Sequence, residues 1–114
     1  ALVGAHLRGA FLCAKHASAA MIAAGEGGKI INVASVFALF GPPGLAHYAA
    51  AKAGVLGLTR ALAVELAPHG IQVNCLVPGF FETELALGNT TPARRDEIRR
   101  HTPAGRWGTP EELV

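Results

Sequence analysis

In the segment HYAAAKAGVLGLTRALAVEL, residues 47–66, small apolar residues dominate, yet Tyr48 and Lys52 stand four apart at its start. On a helix that spacing stacks a phenol and an ammonium on one face. A free phenol has a pKa of about 10 and exchanges protons poorly at neutral pH. A cation about 4 Å away, in partly screened surroundings, favours the phenolate by about 4 kcal/mol. That is on the order of three pKa units, enough to bring a tyrosine near the range where acid–base catalysis works best. Lys52 can be that cation. Ser35, thirteen residues before Tyr48, offers a hydroxyl to hold a carbonyl oxygen and steady its developing charge. Together the three suit a reaction that protonates a carbonyl as a hydride arrives, or the reverse.

These side chains need elements to carry them. Val3, Leu7, Ala10, Ala14, Ala17 and Met21 recur at spacings of four and three, which predicts a helix to about Ala24. GEGG then breaks it. KIINVAS, residues 29–35, is a continuous run suited to a strand buried on both faces. VFALFGPPGLA reads as a loop. Residues 46–67 read as a helix with Tyr48, Lys52, Val55, Thr59, Leu62 and Leu66 on one face. PHG ends it, and IQVNCLV, residues 71–77, is a second buried strand. PGFFETELALGNTT reads as a loop or short helix, PARRDEIRRH as a short polar helix, and TPAGRWGTP as a turn-rich connector.

The order helix, strand, helix, strand is that of an α/β fold with a parallel sheet and right-handed crossovers. Two strands alone need neighbours and helices on both faces. Sites in such folds lie at the C-terminal ends of strands, here Ser35 and the Pro78–Gly79 loop. Tyr48 and Lys52 open the helix that follows the first of these ends, so the groups are expected to converge on one edge.

The composition fits this frame. With 114 residues, 51% of them hydrophobic, 14 glycines and a formal charge of +2, the chain suits one small globular unit, without a second domain and without disorder. No basic run interleaved with aromatics points to nucleic acid. Cys13 and Cys75 lie far apart, as expected of reduced thiols in a cytoplasmic protein. Ile30 to Ala51 carries no formal charge, but Asn32, Ser35, Gly41, Pro42, Pro43 and Gly44 rule out a spanning helix. No signal peptide is visible. The chain opens in helical register without a Met. It closes on TPEELV, where Thr109 (N-cap), Pro110 (first turn) and Glu112 (capping box) look like the start of a helix. A piece of a longer protein is expected.

The string NVASVFALFGPPGLAHYAAAKAG, continued by VNCLVPGFFET, resembles the short-chain dehydrogenases/reductases, and the resemblance covers essentially all 114 residues. It implies part of a Rossmann-type doubly wound parallel sheet, with residues 1–114 supplying the catalytic and substrate-loop portion of one domain. It implies Tyr48 as catalytic acid/base, Ser35 as the group orienting a substrate carbonyl, and Lys52 as the cation that acidifies the tyrosine and holds the nicotinamide ribose. Pro78, Gly79, Phe81 and Thr83 would line the nicotinamide end of an NAD or NADP site. No metal is implied. The family's glycine-rich dinucleotide loop and cofactor-selecting residue would lie upstream of residue 1, and its final strand and helix beyond Val114.

Where the family commonly carries asparagine in NLxG, this chain reads HLRG, so His6 stands either as a proton relay near the lysine or as a helix histidine without a role. The helices matching 1–24 and 46–67 commonly pair across a dimer in the family, which implies a homodimer or homotetramer. HTPAGRWGTPEEL resembles connectors of sugar-acid dehydrogenases such as gluconate 5-dehydrogenases, and 3-oxoacyl-[acyl-carrier-protein] reductase fits equally. The implied function is interconversion of a secondary alcohol and a ketone. The alternatives are a catalytically inactive oligomerising or binding module, and a lyase or epimerase using a similar tyrosine–lysine pair.

Smaller features read as structural. GEGGK precedes a strand and is a turn, not a phosphate cradle. Arg94, Arg95, Arg99 and Arg100 read as a solvated helix face with an Asp96–Arg100 pair. Gly54 and Gly57, inside a helix, suggest close backbone packing, against either the sheet or a partner subunit.

Overall fold

Two β-branched runs become two strands, β1 (Gly28–Val33) and β2 (Ile71–Leu76). In the computed structural model, which describes residues 1–113, they pair in parallel from Gly28 opposite Ile71 to Val33 opposite Leu76. The Ala34 N–H donates to Leu76 O at 2.8 Å, carrying the ladder one residue further. Both strands are slightly shorter than the expected 29–35 and 71–77, and Ser35 lies beyond the strand end. The chain divides into two compact units, Ala1–Val77 and Pro78–Val114.

In the first unit, a π-helical turn over Gly4–Arg8 runs into α1 (Gly9–Ala24). Gly25 ends the helix at φ 72°, its N–H bonding back to Met21 O and Ile22 O, a turn that favours glycine. Gly27, also at φ 72°, approaches Gly70 so closely that a Cβ there would lie 2.6 Å from Gly70 O. GEGG is thus a turn, as expected, and the turns that feed β1 and β2 lie against each other. Helix α2 (Ala46–Leu66) crosses between the strands and ends through a 3-10 turn, Ala67–His69, at Gly70. It buries Ala51, Lys52, Val55, Thr59, Leu62 and Leu66, the expected face, with Tyr48 half-buried at its start. The core gathers Ala14 of α1, Leu62 and Leu66 of α2, and Ile71 and Val73 of β2, with Met21 and Ile30 against them.

One expectation needs correction. The strands are covered on one face only: Ile31 is 68% and Val33 50% exposed, because α1 and α2 pack on the same side. Of the two helix glycines, Gly54 meets Leu7 at 2.8 Å from its would-be Cβ, and Gly57 has open space around it within this chain.

The second unit is built from caps and one indole. Thr83 caps α3 (Glu84–Gly88) by accepting from Ala86 N, and Thr91 caps α4 (Pro92–His101) by accepting from Arg94 N. Trp107 and Ile98 are buried. The indole N–H donates to Arg95 O at 3.3 Å, and its ring lies 5.4 Å from that of Phe80. Asp96 pairs with Arg99 at 3.3 Å and Arg94 with Glu97 at 2.7 Å. The expected Asp96–Arg100 pair is therefore replaced by two pairs three residues apart, a spacing equally adjacent on a helix. Near the end, Glu112 accepts from Thr109 N at 2.8 Å over a 3-10 turn, Pro110–Leu113, the capping-box contact the sequence leads one to expect.

Candidate active site

Three segments of the first unit meet around Tyr48: the π-helical turn before α1, the turn after β1, and the first two turns of α2. The run AHYAAAKA opens α2 with residues of high helix propensity. Ala51 is only 1% exposed, so small side chains let the helix lie close to the strand. That closeness brings Lys52 down onto β1, where its Nζ donates to Val33 O at 2.9 Å. The lysine is buried, and its Nζ lies 5.8 Å from the centre of the Tyr48 ring, within the range of cation–π attraction. The ammonium thus stands beside the ring with one hydrogen bond to the strand, and two of its three N–H donors remain for other partners.

Ser35 leaves the strand in extended conformation, φ −166° and ψ 155°, and caps the 3-10 turn Val36–Ala38 by accepting from Phe37 N at 3.2 Å. Accepting in that cap fixes the hydroxyl oxygen and leaves its proton free to be donated. The same turn presents Phe37, whose ring lies edge-on to Tyr48 at 6.3 Å and 80°. His6 also meets Tyr48 edge-on, at 5.5 Å and 86°. The phenol thus makes edge-on contacts with two rings, while Leu7, next to His6, packs on Gly54 one and a half turns along α2.

Within the first unit the structure brings His6 and Lys52 against Tyr48, while Ser35 enters the same region only through Phe37, two residues on, whose ring meets the phenol. Pro78, Gly79, Phe81 and Thr83 belong to the second. There Phe81 bridges to Gly108, its ring so close that a Cβ on Gly108 would lie 2.6 Å from it. The Thr83 hydroxyl accepts from Ala86 N at 3.2 Å.

Sequence reasoning passed over two polar residues beneath the site. The Asn32 Nδ2 donates to Thr59 Oγ1 at 2.9 Å, and the Thr59 hydroxyl donates to Val55 O at 2.8 Å. The available signal was a polar side chain inside an apolar strand run. Among the described residues no cluster of metal-ligating side chains occurs, and no helix is long and apolar enough to cross a membrane.

Comparison with known proteins places the chain among relatives. The profile of a family described as enoyl-(acyl carrier protein) reductase matches residues 2–114. A 3-oxoacyl-[acyl-carrier-protein] reductase from Synechocystis sp. is 42% identical over 114 residues, all of this chain and 44% of its own length. A 2-dehydro-3-deoxy-D-gluconate 5-dehydrogenase from Escherichia coli is 40% identical over 96% of this chain and 44% of its own length. Among solved structures, a gluconate 5-dehydrogenase from Burkholderia cenocepacia in complex with NADP and tartrate superposes with a TM-score of 0.87 at 45% identity, covering 95% of this chain and 42% of its own. The chain therefore spans less than half the length of these relatives.

Proposed function

Since the chain belongs to the short-chain dehydrogenase/reductase family, we propose that the whole protein is an NAD(P)-dependent oxidoreductase interconverting a secondary alcohol and a ketone. Residues 1–114 would form part of a single Rossmann-type domain. The observation that carries the reading is Tyr48 packed beside the buried Lys52 ammonium, with Ser35 at the neighbouring strand end. The donors suit a nicotinamide dinucleotide: two Lys52 N–H groups remain to hold a vicinal diol such as that of the ribose. Pro78, Gly79, Phe81 and Thr83 are proposed as further cofactor contacts on the resemblance alone. When bound, the cofactor supplies or accepts the hydride.

The chain's own groups handle the proton. In the reducing direction the Ser35 hydroxyl donates a hydrogen bond to the carbonyl oxygen, which gathers negative charge as the carbon accepts hydride. The Tyr48 phenol then gives its proton to that oxygen, completing the alcohol. The Lys52 cation stabilises the phenolate left behind. In oxidation the same phenolate takes the proton from the hydroxyl. His6, edge-on to the phenol, is proposed to relay protons to the site.

The similarity to a 3-oxoacyl-[acyl-carrier-protein] reductase and to gluconate 5-dehydrogenases supports either a 3-oxoacyl thioester or a sugar acid as substrate. A cytoplasmic homodimer or homotetramer, joined through the helices within 1–24 and 46–67, completes the proposal. The exposed Phe11, Leu12 and Val64 on these helices support it.

The test is NADH or NADPH oxidation by the full-length protein with an acetoacetyl thioester or 5-keto-D-gluconate. Tyr48→Phe is expected to lower turnover by about 10²–10⁴ while cofactor binding persists. Equal turnover in that variant would refute the assignment and leave a binding module.

A further inference from the structure

In β1, Asn32 is the residue turned fully into the core, and it is polar. Its carboxamide donates to Thr59 Oγ1 at 2.9 Å, and Thr59 donates to Val55 O at 2.8 Å. Because the single hydroxyl proton of Thr59 is committed to its own helix, its oxygen is left as an acceptor, and the chain Asn32 to Thr59 to Val55 runs in one direction only. The next strand residue, Val33, accepts from Lys52 Nζ at 2.9 Å. Helix α2 is thus tied to two adjacent residues of β1 at Lys52 and Thr59, about 10 Å apart along the helix axis. A helix tied at one point can still slide or swivel. Tied at two, it can do neither without stranding a buried polar group.

Stability alone does not explain this pair. Within IINVA an apolar side chain would fill the position without the cost of desolvating an amide, and buried polar pairs often add little net stability over well-packed apolar ones. What a directional, fully buried pair adds is one setting of helix against strand. Both segments it joins carry reacting groups: Ser35 follows Asn32 by three residues, and Tyr48 and Lys52 lie on the helix that holds Thr59.

We propose that Asn32 and Thr59 are positioning residues for the reaction, their hydrogen bond holding α2 at the setting in which Tyr48 and Lys52 serve the carbonyl bound at Ser35. The inference rests on the oxidoreductase reading. Thr59→Val removes the acceptor at nearly constant volume, Asn32→Leu/Thr59→Val replaces the whole pair with apolar groups, and Thr59→Ser restores the hydroxyl. Each is made in the full-length protein and assayed by NADPH oxidation with whichever of acetoacetyl thioester and 5-keto-D-gluconate the unmodified protein reduces.

Misplacement of reacting groups by about 1 Å costs on the order of 100-fold, so kcat is expected to fall by about 10- to 100-fold in both apolar variants. KM for the carbonyl substrate and the melting temperature of the double variant should change little, and Thr59→Ser should recover the rate. Variants that melt earlier yet keep full kcat per folded molecule would overturn the inference. If the double variant does not fold, Thr59→Val against Thr59→Ser decides the matter alone. Tyr48→Phe is run alongside: if it stays active, the oxidoreductase reading falls, whereas an inactive Tyr48→Phe beside a fully active Thr59→Val refutes only the positioning role.

Discussion

Lys52 sits where a long charged side chain is costly to bury, and its hydrogen bond to Val33 O is what makes the burial tolerable. Lys52→Met keeps the stem and removes the charge. In the full-length protein, stopped-flow measurement should show hydride transfer slowed on the order of 100-fold, as when one preorganised donor is lost from a reacting oxygen. His6→Phe keeps an edge-on ring against Tyr48 but removes both nitrogens. Turnover is expected to fall, and an unchanged rate would reduce His6 to a packing residue. The closeness of Tyr48 and Lys52 was readable from sequence because they share a helix at a spacing of one turn. The Asn32–Thr59 bond was not. It joins residues on different elements, and no spacing rule says which helix hydroxyl a strand amide will find.

Elements show the same division between local and long-range information. Helix α2 was legible over nearly its whole length because its apolar stripe and the glycine beyond it are local signals. Strand coverage was not, because a run such as KIINV looks the same whether one face or both meet helices. The packing that was found makes its own predictions. Ile71 is 2% exposed at the centre of the core, so Ile71→Ala should cost about 2–5 kcal/mol in denaturant unfolding of the full-length protein. At Gly27 a side chain would be strained by φ 72° and would meet Gly70 O, so Gly27→Ala should destabilise by more than about 1 kcal/mol in the same measurement.

In the second unit, the Arg106 guanidinium, helped by the Thr109 N–H, pulls the Glu112 carboxyl down to about 2. A carboxyl held below its ordinary value of about 4.3 favours the folded turn above that pH, and the contribution fades as pH falls towards the lowered value. Its size is small because the pair is exposed. NMR titration should place the Glu112 midpoint near the lowered value and show Arg106→Ala returning it towards the ordinary one.

At the scale of the molecule, the open face of the sheet is the dominant feature of the first unit. Ile31, Val33 and Leu76 lie exposed on it, whereas parallel sheets ordinarily have both faces covered. Residues 1–114 alone should therefore bind a hydrophobic dye strongly, and the full-length protein should not. The proposed subunit contact is tested separately: Phe11→Asp should shift the full-length protein towards monomer in sedimentation. The α/β class was legible from element order alone, since alternating helices and β-branched strands admit few other arrangements.

The central claim is that Ser35, Tyr48 and Lys52 act on one carbonyl as a unit. Groups that act together lose their effect together, so removing a second member after the first costs little more. Single-turnover hydride transfer in the full-length protein measures this directly with Ser35→Ala, Tyr48→Phe and the double variant. The account predicts a double variant no slower than Tyr48→Phe alone, and losses that multiply would contradict it.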